Sequence, residues 1–341
     1  MIDKKIAVVV LNWNGAKLLE QFLPSVVAYS DEAKIYVADN ASTDNSIAII
    51  KEKFPSITII KNDGNYGFAK GYNLALKEVE EEYYALVNSD IEVTKNWLAP
   101  ILSIFDTQTY VGIIQPKILD YKNKEYFEYA GAAGGFIDQY GYPYCRGRIF
   151  ETIEKDNSQY NDELEIFWAS GACFFIRKEV YRKLNGFDDD FFAHQEEIDL
   201  CWRMQKAGYK IVSCPASIVY HIGGGTLSKD NPRKIYLNFR NNLIMLWKNL
   251  SMGQVLWILP LRFALDAISA WKNLLSGQPA FFTAIMKAHF SFMGWLISDR
   301  KSGVYFHSNE VEPKGVYKGS VVWQHFVKGK NKFSEIIAKS N

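Results

Sequence analysis

The chain has 341 residues, 48% hydrophobic and 23% charged, with a formal net charge of +1. That is room for one large domain with an appendage, or for two domains, and a near-neutral balance argues against broad electrostatic capture of nucleic acid. Cys145, Cys173, Cys201 and Cys214 lie far apart without a CxxC pair, which excludes zinc spacing and a disulfide framework and suits a reducing cytoplasm.

The apolar run at 6–11 lacks a small-residue cleavage pattern and ends in Asn-Trp-Asn-Gly, so it predicts a first strand rather than a signal peptide. A helical pattern follows at about 16–29. Residues 35–38 predict a second strand ending in DNASTDNS, where Ser42 or Thr43 is placed to cap a helix through Ile47 and Ile50. A third strand at 57–60 leads into NDGNYGFAKGYN and a helix through Leu74 and Val79. Ala85-Leu86-Val87 predicts a fourth strand, buried on both faces, that stops abruptly in Asn88-Ser89-Asp90. TKNWLAPILSIF then opens another helix. This alternation predicts an α/β fold with a mostly parallel central sheet flanked by helices.

Residues 121–161 show little periodicity and read as irregular, with short antiparallel strands around CRGRIFETI. Order returns with a strand at 172–177, a helix at 178–184, a helix at 196–207 stopped by Gly208, and strands at 210–212 and 217–220. Beyond residue 234 the chain becomes helical and aromatic. A helix at 254–276 places Trp257, Leu261, Leu265, Ile268 and Leu275 on one face and Arg262, Asp266, Ser269 and Asn273 on the opposite one. The stretch 280–297 is more apolar, with Lys287 and His289 near its middle. Neither offers the ~20 clean apolar residues of a spanning helix.

Polar residues collect at the strand ends: Asn12 and Asn14, then Asp39 and Asn40, then Asn62, Asp63 and Asn65, then Asn88, Ser89 and Asp90. Any one tip is explained by the turn preference of Asn and Asp. Four tips on one edge of a parallel sheet point to a polar-ligand cleft. No GxGxxG follows the first strand and no GxxxxGK[ST] occurs, so dinucleotide redox chemistry and P-loop hydrolysis lose their main support. A phosphorylated ligand then calls for a divalent cation, Mg²⁺ or Mn²⁺, and Asp90 at a strand tip is suited to hold it.

The ordered set VVVLNWNG, VADNASTDNS, NYGFAKGYN, LVNSD, WASGACFFIRKEVYRKLNGFDDDFFAHQEEIDLCWR and HIGGGT, over roughly 5–242, resembles the family 2 glycosyltransferases of the GT-A fold. The resemblance is nearest to rhamnosyltransferase-like members of cell-surface polysaccharide pathways. It implies an inverting transfer from a nucleotide-sugar donor, dTDP-rhamnose first and a UDP-hexose second, to a saccharide acceptor carried on a polyprenyl diphosphate. It makes Asp39 the reader of the uracil or thymine N–H, where a plain N-cap is the bland alternative. Asn12, Asn65, Gly67, Gly71, Asn73, Asn88 and Ser89 would line the donor pocket. Asn88-Ser89-Asp90 corresponds to the family's DxD motif, so Asp90 would hold the metal, while Asn88 stands where many relatives carry an Asp and adds no charge. His221, before Gly223-Gly224-Gly225-Thr226, would complete the metal site or contact the diphosphate; a surface histidine before a turn is the plain alternative.

By motif position Glu197 is preferred over Glu196 as catalytic base. The carboxylates of Glu196, Glu197 and Asp199 are explained in part by the helix dipole, and Asp199–Arg203 by an ordinary i,i+4 ion pair. The dipole would lower the pKa of Glu197, and Phe191 and Phe192 would raise it. Trp168 and Gly171 would line the acceptor side, Phe174 and Phe175 suit the core, and Arg240 in YLNFRNNL would meet the acceptor diphosphate. The expected division is a GT-A catalytic domain over 1–240 and a helical region over 241–341. Its helices, with Lys248, Arg262, Lys272 and Lys287, suit peripheral attachment to the cytoplasmic face of a membrane. A packing or homo-dimer region explains the same pattern. A sugar-nucleotide pyrophosphorylase would want a Gly-rich basic loop after the first strand, which NWNGAKLL does not supply. A non-catalytic sugar-nucleotide-binding scaffold of the same fold is the remaining rival.

Overall fold

The computed structural model describes residues 4–223, 231–298 and 312–337. Elements β1 (Ile6–Asn12), α1 (Ala16–Ala28), β2 (Ala33–Asp39), α2 (Ser46–Lys53), β3 (Thr58–Lys61), α3 (Ala69–Ala75) and β4 (Tyr83–Asn88) alternate along the chain. β1 and β4 are almost wholly buried, which is why their sequences are continuous apolar runs rather than alternating ones. β1 pairs in parallel with β2 and with β4, and β2 with β3, so the carboxyl ends of all four reach one edge. The registers set Asn12 beside Asp39 and Leu11 beside Asn88.

After β5 (Ile91–Val93) and α4 (Ala99–Thr107) comes β6 (Val111–Asp120), a long buried strand that the apolar pattern does not announce, because Gln115-Pro116-Lys117 interrupts it. Pro116 follows the last pairing of β6 with its antiparallel neighbour and stands opposite a register slip in its parallel one. Proline is tolerated beside such an irregularity. β7 (Gly135–Asp138), β8 (Pro143–Cys145), β9 (Arg148–Ile149) and β10 (Thr152–Ile153) then form an antiparallel meander in the stretch whose sequence reads as irregular. β11 (Leu164–Glu165) precedes β12 (Cys173–Arg177), which is antiparallel to both β4 and β6. α5 (Lys178–Lys183) and α6 (Glu196–Lys206) lead to β13 (Lys210–His221), one bulged strand where the sequence predicts two. Among the described residues the large sheet therefore runs β11-β13-β6-β12-β4-β1-β2-β3, with β5 on β13. The strand tips that carry Asn12, Asp39 and Asn88 lie on the half where parallel pairing is unbroken.

The remaining elements are α7 (Pro232–Asn249), α8 (Met252–Leu275), α9 (Pro279–Leu296), β14 (Val316–Tyr317), α10 (Val321–Phe326) and α11 (Phe333–Ile337). The boundary expected at residue 240 falls inside α7. The tail also returns to the first domain: β14 adds to β7, and the Phe333 ring packs against Phe136, Tyr144 and Tyr160. All four cysteines are free and buried.

Helix α8 has the amphipathic pattern the sequence predicts, but its polar face is the one turned inward. Arg262 and Asp266 are buried: Arg262 donates to the Tyr140 carbonyl (3.1 Å) and stacks on the Tyr142 ring (3.7 Å), and Asp266 sits 3.4 Å from His289. Ile268 and Leu275 are 65% and 86% exposed, and Trp257 and Trp271 are about half exposed. Among the described residues no helix is long and apolar enough to cross a membrane.

Candidate active site

At the tip of β1, Asn12 donates from its amide to Asp39 Oδ1 (2.8 Å) and to Ser42 Oγ (3.0 Å), while Asp39 Oδ2 accepts the Ser42 backbone N–H (2.9 Å). Asp39 is thus fixed by neighbours that leave each carboxylate oxygen a further lone pair for an incoming donor. Ser42 and Thr43 do not cap α2. Asp44 accepts the backbone N–H of Ser46 and of Ala16, serving the starts of α1 and α2 together. Asn14, in the left-handed region at φ 51°, accepts from Thr43 N–H (2.7 Å) and closes the loop.

The glycines expected to admit a ligand instead admit the chain itself. Gly67 has φ +74°, and a Cβ there would lie 2.3 Å from the Phe192 carbonyl oxygen. A Cβ on Gly71 would lie 2.7 Å from the Asn40 amide, which donates to the Gly67 carbonyl. Asn73 spends its side chain on the loop before α6: it donates to the Phe187 carbonyl and Asp189, and accepts from Phe187 N–H and Tyr181. Its expected place in the donor pocket is corrected to a clamp, because both ends of its amide are occupied by protein. Asn65 is exposed and accepts the Gly67 N–H (3.1 Å).

Asn88, Ser89 and Asp90 link β4 to β5, and β5 pairs with the end of β13 in the register His221↔Ile91. That pairing carries His221 to Asp90, with Nε2 3.1 Å from Oδ1. On the other side of the ring, Nδ1 lies 3.2 Å from Glu128 Oε1. Burial opposes charge on this imidazole, but the Glu128 and Asp90 carboxylates outweigh it and push the pKa up to about 10. Glu128 was not foreseen, since it belongs to a stretch without periodicity. The Asp90–His221 separation matches adjacent ligands on one octahedral ion, ~3.0 Å apart at bond lengths of ~2.1 Å. As they stand, Asp90 and His221 form a charged hydrogen bond; a small divalent cation would fit between them only by displacing the Nε2 proton, with Glu128 orienting the ring from behind. Among the described residues no group of three or more His, Cys, Asp or Glu forms a metal cluster. A cation held by Asp90 and His221 would accordingly complete its shell with ligand phosphate and water. Gly224, Gly225 and Thr226 lie outside the described residues.

The candidate base stands at the start of α6. His194 and Gln195, just ahead of it, are both left-handed (φ 72° and 76°). Glu196 and Glu197 each carry a buried oxygen, Oε2, with no hydrogen-bond partner. Burial pushes the Glu197 carboxyl up to about 7, and burial plus the neighbouring Glu197 carries Glu196 well above the ordinary range. The helix dipole therefore loses to desolvation at both positions. A Cβ on Gly171 would lie 3.7 Å from Glu197 Cδ and 3.4 Å from the Phe68 ring, so Gly171 borders the candidate base. One residue on, the Ala172 carbonyl accepts the Asn88 N–H (2.9 Å), which ties this side to the β4 tip.

Two expected roles are corrected. Asp199 is fully buried, paired with Arg203 (2.8 Å) and accepting from Asn249 (2.6 Å), so it anchors α6 and is not available to a substrate. Trp168 is 4% exposed, lies flat on Gly135 and donates its indole N–H to the Phe136 carbonyl (2.9 Å), joining the two sheets rather than offering a face to a sugar.

A set of contacts absent from any motif reading comes from α7. Asn241 donates to the Ala193 and His194 carbonyls (2.9 Å each), and Asn242 to the Gln195 side chain (3.2 Å). Lys248 pairs with Asp188 and Asp190, and Arg240 donates to the Asp190 carbonyl (3.0 Å). The helix thus holds the 188–195 loop that delivers Glu196 and Glu197.

The family model described as "Glycosyl transferase family 2" matches residues 7–185. The chain is 22% identical over 276 residues to the N-acetylglucosaminyl-diphospho-decaprenol L-rhamnosyltransferase of Mycobacterium tuberculosis, covering 76% of this chain and 89% of that one. It is 24% identical over 223 residues to the rhamnosyltransferase WbbL of Escherichia coli, covering 63% of this chain and 83% of that one. In structure it resembles the mannosyltransferase PcManGT from Pyrobaculum calidifontis, solved with GDP-Man and Mn²⁺, with TM-score 0.54, 15% identity, and coverage of 86% and 88%.

Proposed function

Since the chain belongs to glycosyl transferase family 2 and has the GT-A fold, we propose that it transfers rhamnose from dTDP-rhamnose, or failing that a hexose from a UDP donor, to a saccharide on a polyprenyl diphosphate. The observation that carries this reading is the placement of Glu197, whose buried Oε2 has no partner and whose carboxyl borders Gly171, next to the Ala172 carbonyl that accepts from Asn88 at the β4 tip. Asp39, steadied by Asn12 and Ser42, accepts the imide N–H of the pyrimidine. Asn88 and Ser89, at the β4 tip, would line the donor pocket. Asp90 and His221 would hold Mg²⁺ or Mn²⁺, which would supply a Lewis acid for the departing diphosphate.

Glu197 accepts the proton of the acceptor hydroxyl as that oxygen forms its bond to the anomeric carbon and the bond to the nucleoside diphosphate breaks. One displacement inverts the anomeric configuration. A base of pKa near 7 is matched to this task at neutral pH and is worth ~10²–10⁴-fold. Glu196 is the poorer candidate because it is buried at 3% exposure, whereas Glu197 is more exposed and borders Gly171. The outward apolar face of α8 supports attachment to the membrane surface that carries such an acceptor.

Calorimetry with dTDP, UDP, GDP and NAD, followed by a nucleotide-sugar transfer screen read by mass spectrometry, tests the proposal. Binding of dTDP or UDP by the parent, with transfer abolished and nucleotide affinity kept in Glu197→Gln, is the expected result. Absence of any pyrimidine-diphosphate binding would sink it.

A further inference from the structure

A cavity of about 880 Å³ opens beside the cleft, between the loop after β3, the 188–195 loop, and helices α7 and α9. Its lining contains none of Asp39, Asp90, Glu197 or His221, and it borders the donor side only through Asn65. Four cations face it: Lys70, Arg233, Arg240 and Lys287. Two carboxylates join them, Asp190, which pairs with Lys248, and the exposed Asp189, which accepts from the Asn73 amide, so four positive groups face two negative ones. Aromatic rings hold three of the cations in place, Lys70 over Tyr66, Lys287 over Tyr236 and Arg233 over Phe192. The result is a concave surface with excess positive charge and several N–H donors, suited to a doubly or triply charged oxyanion.

Helix α9 says what else the ligand carries. Thr283 and Lys287 line the cavity, and continuing by three- and four-residue steps the same helix exposes Phe290 (73%), Met293 (52%) and Ile297 (87%). An anion site whose wall runs on into an exposed apolar stripe is complementary to one molecule with a charged head and a hydrocarbon tail. We propose that this cavity binds the diphosphate head of the lipid-linked acceptor, with the first isoprenoid units lying along Phe290, Met293 and Ile297. The inference rests on the acceptor class proposed above and assigns it a site of its own, apart from the donor diphosphate at Asp90 and His221. Arg240 remains in it, with Lys70, Arg233 and Lys287 added.

Farnesyl diphosphate, inorganic pyrophosphate and phosphatidylglycerol vesicles test this without any transfer reaction. The full chain, with no nucleotide sugar present, is titrated with each, alongside Arg233→Glu/Lys287→Glu and Phe290→Ser/Ile297→Ser variants checked for unchanged circular dichroism. Arg233 and Lys287 lie on exposed helix positions, so charge reversal leaves the core intact. The expected result is that farnesyl diphosphate binds more tightly than pyrophosphate. The charge variant should weaken both by roughly tenfold or more, and the apolar variant should weaken only farnesyl diphosphate. Retained farnesyl diphosphate affinity in the charge variant overturns the proposal. So does an equal loss of vesicle binding in that variant, because the cations would then read a phospholipid head and not a diphosphate. A chain that binds farnesyl diphosphate as expected but transfers no sugar would refute the proposed function and leave this site standing.

Discussion

Removal of the Asn241 amide is the sharpest test of how the base is positioned. His194 and Gln195 both occupy the left-handed region, which costs a non-glycine residue about 1–2 kcal/mol, hence roughly 2–4 kcal/mol for the pair. Asn241 opposes that tendency with two hydrogen bonds to the Ala193 and His194 carbonyls, together worth about 2 kcal/mol. In Asn241→Ala the strain is no longer matched, the turn relaxes, and Glu197 moves from its place beside Gly171. Melting temperature should fall by roughly 2–4 °C, and kcat by ~10²-fold, the effect of about 1 Å of misplacement. Donor affinity should hold, because Asn12 and Asp39 sit on β1 and β2 and do not touch this loop. A loosened turn also hydrates Glu197, so the acidic limb of the pH–rate profile should move down from about 7 toward the usual carboxylate range. Steady-state kinetics across pH, with differential scanning calorimetry, reads all of these. If the melting temperature drops as expected while kcat and the acidic limb stay where they were, Asn241 is merely structural and the reasoning fails.

Three further outcomes follow from the same site. In the parent, kcat/KM should be flat above pH 8 and fall tenfold per unit below about pH 7, because the proton that Glu197 must shed is then retained. Asp90→Ala and His221→Ala should each weaken Mn²⁺ binding in the presence of nucleoside diphosphate by ~10-fold or more, measured by calorimetry or by the electron paramagnetic resonance of the free ion; unchanged affinity in both would remove the metal assignment. Glu196 and Glu197 have folded-state pKa values above the ~4.3 of an unfolded chain, so the stability they confer is complete below about pH 4 and is lost as pH rises toward their folded values. Glu196→Gln should accordingly raise the melting temperature at pH 8 and leave it nearly unchanged at pH 4, and a uniform effect across that range would contradict the burial argument.

The central strands β1, β2 and β4 were legible because burial on two faces forces an apolar run, and each shows one. β6 was missed for the opposite reason. It is as buried as they are, but Pro116 interrupts it and its two polar residues are satisfied by something distant: Gln115 by the Gly131 carbonyl and Ser170 N–H, Lys117 by Asp156. Polar residues that find partners across the fold look like loop in a local window. The inversion of α8 has the same root. Periodicity identifies two faces but not which one meets the protein, and the usual rule fails when a buried partner set such as Tyr140, Tyr142 and His289 awaits the polar side.

The candidate site divides along the same line. Asn12, Asp39, Asn88 and Asp90 could be named from sequence because strand ends fix their positions, and a chain break from apolar to polar marks each end. Glu128 and the α7 residues could not, since nothing local distinguishes a buried glutamate beside His221 from a solvated one, or Asn241 from any helical asparagine. What separates the two groups is the origin of their placement: backbone pairing for the first, side-chain contact across 47 or more residues of sequence for the α7 clamp. The tail is consequently tied by side-chain contacts to the loop that carries the proposed base. A chain cut at residue 240 would keep every strand-tip residue and lose Asn241, Asn242, Lys248 and Asn249, the side chains that hold the loop and helix of the base. In the proposed reading the nucleotide is met at the sheet edge, while the proton is handled at a loop held from one side by Asn73 and Phe68 and from the other by α7.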